Sequence, residues 1–189
     1  MKKIIFASVL PALLIFSSFV FAQQNSSVKQ MEVQAVSSVD LKRYAGKWFE
    51  IARYPNKFQK NCVGNTTVTY TQKVDYQMDV SSQCVKKNGA MENTKFEAKI
   101  TDKTTNAKFD VQNAPGDFWI VDLDSDYKYA AIGDPKRENF WILSRESEMK
   151  DAVYQDILRR VEKMGFNPGK VVKTPQNVEI LKGSVVQKQ

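Results

Sequence analysis

The sequence predicts an all-β chain: an eight-stranded antiparallel up-and-down β-barrel with one C-terminal α-helix packed outside. Three observations predict it. Short apolar runs with a two-residue period recur between turn-forming residues from Trp48 to Ser144. Some runs are apolar on both faces, as in Phe118-Trp119-Ile120-Val121, which suits strands covered on both sides. One helical stripe with a narrow apolar face follows the last run and can cover the outside of a closed sheet. Periodicity alone also fits a sandwich of two sheets. A barrel of eight strands has room for one small ligand.

The elements follow in order. Trp48–Tyr54 is the first strand. Val68 and Tyr70 then alternate with Thr67, Thr69 and Thr71, and Tyr76–Val85 follows a turn near Asp75. Asn88-Gly89 is a hairpin signal, because both residues tolerate positive φ. Phe96, Ala98 and Ile100 alternate with charged residues, Thr104-Thr105-Asn106 makes a turn, and Phe109 and Val111 continue the pattern. Pro115-Gly116-Asp117 precedes the Phe118–Leu123 strand. Tyr127–Ile132 and Phe140–Ser144 complete the set across Gly133-Asp134-Pro135. Ser147 can cap a helix carrying Glu148 and Asp151 in its first turn. Val153, Ile157, Val161 and Met164 form its stripe, with Tyr154 and Leu158 beside it, and Gly165 and Pro168 end it.

The N-terminus reads as an export signal. Lys2 and Lys3 precede an apolar run from Ile4 to Phe21 that ends in Val20-Phe21-Ala22. That run is just long enough to span a bilayer, but the small-residue exit and the polar segment after it favour cleavage. The expected organisation is a signal peptide at 1–22, a flexible leader at 23–38, a barrel domain at 39–181 and a C-terminal tail at 182–189. Position 23 is Gln, so the lipid-attachment cysteine of a bacterial lipoprotein is missing there. The expected product is soluble, in the periplasm or secreted. In such a compartment Cys62 and Cys84 are most simply a disulfide. Asn25-Ser26-Ser27 and Asn65-Thr66-Thr67 fit glycosylation sequons.

Composition narrows the chemistry. The 189 residues include no histidine, which excludes a Ser-His-Asp triad, a Cys-His dyad, an HExxH zinc site and a histidine proton shuttle. Two cysteines cannot form a four-thiolate metal site. Neither a metal nor a cofactor is expected. Loss of Lys2 and Lys3 takes the net charge from +7 to +5. That mild basicity is compatible with approach to an anionic membrane surface. Export and the lack of basic–aromatic clusters disfavour nucleic acid.

The residues carry a family resemblance. Leu41–Arg53, with Gly46-Lys47-Trp48, resembles the first lipocalin motif, the Gly-x-Trp block that opens the first strand. Asp126-Tyr127 resembles the second, and Trp141-Ile142-Leu143-Ser144-Arg145 the third, just before the helix. All three occur in order, and the match is closest to the bacterial lipocalin and apolipoprotein D branch. The resemblance covers about residues 39–181.

It implies that Gly46, Trp48, Asp126, Tyr127 and Arg145 do structural work, with the Arg145 guanidinium stacked on the Trp48 indole at a closed base. If Arg145 points inward, strand parity carries Leu143 and Trp141 inward. The same rule from Trp48 carries Glu50, Ala52 and Tyr54 inward. Tyr70 matches a cavity-lining tyrosine of related lipocalins, and the family pattern puts Phe118, Ala130 and Ile132 inside. Phe96, Ala98, Ile100 and Val111 follow from a guessed register. An inward Glu50 needs a hydrogen-bonding or ionic partner.

The expected function is non-enzymatic: an exported lipid-binding protein, monomer or homodimer, holding a fatty acid, lysophospholipid or similar lipophile for transport or storage at the cell envelope. The alternative is a lipocalin-fold enzyme with Glu50 as acid or base.

Overall fold

The computed structural model describes residues 31–74, 76–112, 114, 117–181 and 184–187. The export signal, leader residues 23–30, the Asn25 sequon and turn residues Asp75, Pro115 and Gly116 lie outside these.

Eight strands run in chain order: β1 (Gly46–Arg53), β2 (Cys62–Gln72), β3 (Gln77–Lys86), β4 (Met91–Ile100), β5 (Lys108–Val111), β6 (Asp117–Leu123), β7 (Tyr129–Gly133) and β8 (Phe140–Ser144). Each pairs antiparallel with the next, and β1 also pairs with β8, so the sheet closes on itself. That closure distinguishes the barrel from a sandwich.

A short helix, α1 (Leu41–Tyr44), enters the base of the barrel. Asp40 caps it, its carboxylate accepting from the N–H groups of Lys42 and Arg43. Leu41 and Tyr44 are buried in the inner core with Trp48, Phe109 and Ile120.

The second helix, α2 (Asp151–Lys163), lies outside. Its face of Tyr154, Ile157, Leu158 and Val161 packs with Ile51, Val121, Ala131 and Ile142 in a second, outer core. Ser147 does not cap it: the chain stays irregular through residues 148–150, and Lys150 holds the cap position without a side-chain bond. Asp151 alone supplies the acid in the first turn. Gly165 ends the helix with φ +86°, as its lack of Cβ allows.

The segments flanking the barrel are attached to it. In the stretch expected as leader, Val33 is buried and the Val36 N–H donates to the Ile120 carbonyl at 2.9 Å. Residues 31–38 gain contact through Val33, Ala35 and Val36, apolar side chains too sparse to show a period. At the other end, β9 (Val172–Lys173) pairs with the last residues of β1. Ser184–Gln187, counted with the tail, forms β11 against β10 (Val178–Leu181).

The C-terminal strap fills a gap. β1 pairs with β2 only over Gly46–Phe49, so beyond that point the two strands separate. There the Thr174 N–H donates to the Ile51 carbonyl at 2.9 Å. The Gln176 amide donates to the carbonyls of Glu50 and Thr66 at 2.7 and 2.9 Å, one on each strand. Asn65 exchanges two side-chain bonds with the Val178 backbone, so this sequon amide is already occupied. A Cβ at Gly64 would stand 2.5 Å from the Pro175 carbonyl oxygen, which is why glycine sits under the strap.

Candidate ligand cavity

The barrel encloses a cavity of about 320 Å³. Its middle is apolar, formed by Val68, Val80, Ala98, Val111, Ile120, Ile132 and Leu143, with Phe96, Phe109 and Phe118. Nine expected site residues line it: Tyr70, Phe118, Trp141, Glu50, Phe96, Ala98, Val111, Ile132 and Leu143. Phe118 and Trp141 meet edge to face with centroids 5.0 Å apart.

Four residues expected inside do not line it. Ala130 is buried in the inner core but does not line the cavity. Tyr54 lies on the outer side: its ring packs against Phe140, and its hydroxyl donates to the Asn167 carbonyl at 3.0 Å. The cause is a β-bulge. Glu50 pairs with Leu143 but Ala52 pairs with Ile142, leaving Ile51 as an extra residue. Beyond it the parity of β1 reverses, so Ala52, expected inside, also joins the outer core. Ile100 is buried in the inner core below the cavity lining.

The closed base is built around Trp48. Arg145 stacks on the indole at 3.7 Å from its centroid. Its guanidinium donates to the carbonyls of Lys47, Arg43, Tyr44 and Ala45 at 2.6 to 3.1 Å. Gly46, at φ +96°, lets the chain pass beneath it. The Tyr127 hydroxyl accepts from the Asp40 N–H at 2.8 Å and so fastens α1, while Asp126 is exposed and pairs with Lys128 at 3.1 Å.

The open end is organised by Glu50. Its carboxylate accepts from the Gln59 amide and, at 2.6 Å, from the Thr174 hydroxyl, and it lies 3.2 Å from the Arg53 Nε. Burial pushes the Glu50 carboxyl above its ordinary value, opposed by the bonds from Thr174 and Gln59 and by Arg53. Gln59 also accepts from the Trp141 indole N–H at 3.1 Å, tying the loop between β1 and β2 to the cavity wall. The disulfide Cys62–Cys84 joins β2 to β3 at this same end, with Cα atoms 5.6 Å apart. Cys62, Cys84 and Glu92 cluster at distances a metal could use, but both sulfurs are spent on each other.

Sequence reasoning missed Phe58, Gln59 and Tyr44, all of which line the cavity. Phe58 and Gln59 lie on a loop without periodicity. Tyr44 sits on a four-residue helix, whose one signal was the capping Asp40 before Leu41. Tyr44 is fully buried, its hydroxyl has no aligned hydrogen-bond partner, and its pKa is raised by burial and then by the neighbouring Tyr70. Burial pushes Tyr70 up to about 12. The Thr66 hydroxyl, nearer the open end, is likewise buried without a partner.

The comparisons with known proteins agree with this geometry. A family model described as a lipocalin-like domain matches residues 39–176. Temperature-induced lipocalin-1 of Arabidopsis thaliana is 31% identical over 159 residues, covering 79% of this chain and 86% of that protein. Outer membrane lipoprotein Blc of Escherichia coli K12 is 29% identical over 160 residues, covering 82% and 90%. Among solved structures, insecticyanin from the tobacco hornworm Manduca sexta superposes with a TM-score of 0.61 at 21% identity, covering 81% of this chain and 87% of that one.

Proposed function

The chain belongs to the lipocalin family, whose members bind small hydrophobic ligands, and from that premise we propose that it is an exported, soluble carrier of a single fatty acid or lysophospholipid. The observation that carries this reading is the division of the cavity into an apolar middle and a polar open end. An acyl chain fills the former by losing its contact with water. No Lys or Arg lines the cavity among the described residues, so a carboxylate or phosphate placed deep inside would be unpaired. It belongs at the open end, where Lys57, Lys60 and Lys87 are exposed on the adjoining loops. Those lysines also favour delivery to or collection from an anionic membrane. Likeness to an outer membrane lipoprotein supports a role in lipid transport or storage at the envelope.

Native mass spectrometry of mature protein from an exporting host, followed by organic extraction, tests the proposal. A fatty acid or lysophospholipid near one per barrel is expected. Trp141→Ala and Tyr70→Ala each remove aromatic contact worth about 1.5–3 kcal/mol, so each lowers lipid affinity at least tenfold while the fold survives. An empty barrel that refuses a lipid panel, or unchanged affinity in both variants, overturns it.

One observation favours a second reading. A buried carboxyl facing the cavity with a raised pKa suits general acid–base work. Loss of turnover of a bound lipid in Glu50→Gln, with binding retained, selects the enzyme.

A further inference from the structure

The lipid-carrier reading leaves the closed end of the cavity unexplained. An acyl tail needs only apolar contact there, yet two phenols form the floor. Tyr44 and Tyr70 meet with ring centroids 5.0 Å apart, and both line the cavity. The Tyr44 hydroxyl is fully buried and meets the Tyr70 hydroxyl only in poor alignment, so its hydrogen-bonding capacity is met in part. A buried hydroxyl met only in part is destabilising, and phenylalanine would fill the same space without that penalty.

We propose that this floor is a subsite for an uncharged oxygen, a hydroxyl or carbonyl, at the buried end of the ligand, so that the protein selects lipophiles oxygenated at both ends. This rests on the lipid-carrier reading and narrows it. Several observations converge on an uncharged group. Arg145 lies beneath the floor, but the Trp48 ring covers it and its donors are engaged by backbone carbonyls. A carboxylate at the floor would therefore lack a cation. Burial holds both phenols neutral, so each keeps a proton to donate. A hydroxyl or carbonyl oxygen can accept from both at once.

The second pole lies at a definable distance. Thr66 also faces the cavity, four residues before Tyr70 on β2. At about 3.3 Å per residue the two poles stand about 13 Å apart. That matches a medium-length acyl chain oxygenated at its far end, with its carboxylate beyond Thr66 at the open end, where Lys57, Lys60 and Lys87 are exposed.

The test is calorimetric titration of delipidated mature protein with dodecanoic acid and ω-hydroxydodecanoic acid, in wild type, Tyr44→Phe and Tyr70→Phe. Wild type is expected to prefer the ω-hydroxy acid by about five- to tenfold, the worth of one or two buried hydrogen bonds. That ratio falls toward one in both variants, while the melting temperature of ligand-free Tyr44→Phe is unchanged or raised. If Tyr44→Phe does not fold, Tyr70→Phe reads the same ratio. A wild-type ratio of one overturns the subsite and leaves the carrier reading standing. So does a preference that survives both substitutions. Binding of neither acid overturns the carrier reading and the subsite together.

Discussion

The two ends of the barrel are built on different physics. At the closed end, one cation lies on an indole ring at 3.7 Å and gathers the four backbone carbonyls of Arg43, Tyr44, Ala45 and Lys47, so one side chain fastens a whole turn of the chain. At the open end, β1 and β2 have parted: Gln176 of the C-terminal strap bridges them, Thr174 and Gln59 bond Glu50 on β1, and a disulfide ties β2 to β3. The first arrangement resists opening because its parts are packed. The second is stitched, and each stitch can be cut separately. A cavity that must admit a ligand at one end and retain it at the other is served by that inequality.

The contrast breaks most visibly at Trp48. Its side chain is fully buried and donates to the Tyr44 carbonyl at 2.8 Å. Trp48→Ala is expected to cost about 3–5 kcal/mol in urea-induced unfolding and to loosen α1, Tyr44 included. A cost near zero would mean that the closed end is not the packed one. Reduction of Cys62–Cys84 ranks next: with a sequence separation of 22, the cross-link contributes about 3 kcal/mol on the chain-entropy model. Amide hydrogen exchange of the reduced protein should quicken around residues 58–64 and 83–87 more than around Trp48. Equal quickening at both ends would remove the distinction between packed and stitched.

The pH dependence of Glu50 sharpens the comparison further, with a smaller effect. Burial raises its carboxyl from an ordinary value near 4.5, so the folded protein keeps a proton across a window above 4.5 where the unfolded chain has released it. In that window the native state binds more protons, and stability falls as pH rises. Urea midpoints of wild type should therefore decline relative to Glu50→Gln through the window and run parallel to them above it. The opposite slope would mean that the bonds from Thr174 and Gln59 and the charge of Arg53 outweigh burial.

The same contrast decided what the sequence could reveal. The closed-end residues Gly46, Trp48 and Arg145 sit in two short motifs, so the family resemblance those motifs carry implies their roles, and the strand order follows from alternation and turns. Open-end partners lie far apart in the chain: Glu50 meets Thr174, 124 residues on, and no local pattern announces that bond. Gln59 and Phe58 stand on a loop whose side chains follow no period. Parity failed at one residue, Ile51, because a bulge adds a residue without leaving a Gly or Pro to mark it.

That bulge can be tested with the smallest expected change. If parity ran unbroken, Tyr54 would touch the ligand. In the structure its hydroxyl instead accepts from the Asn167 N–H and donates to the Asn167 carbonyl at 3.0 Å, joining β1 to the segment after α2. Removing one hydroxyl from such an exchange costs about 0.5–1.5 kcal/mol. Tyr54→Phe should therefore lower the urea midpoint slightly and leave affinity for dodecanoic acid at the wild-type value. Tyr70→Ala should do the reverse, weakening ligand strongly at modest cost in stability, since its ring faces the cavity. A fall in affinity for Tyr54→Phe would place Tyr54 at the ligand and restore the unbroken alternation of β1.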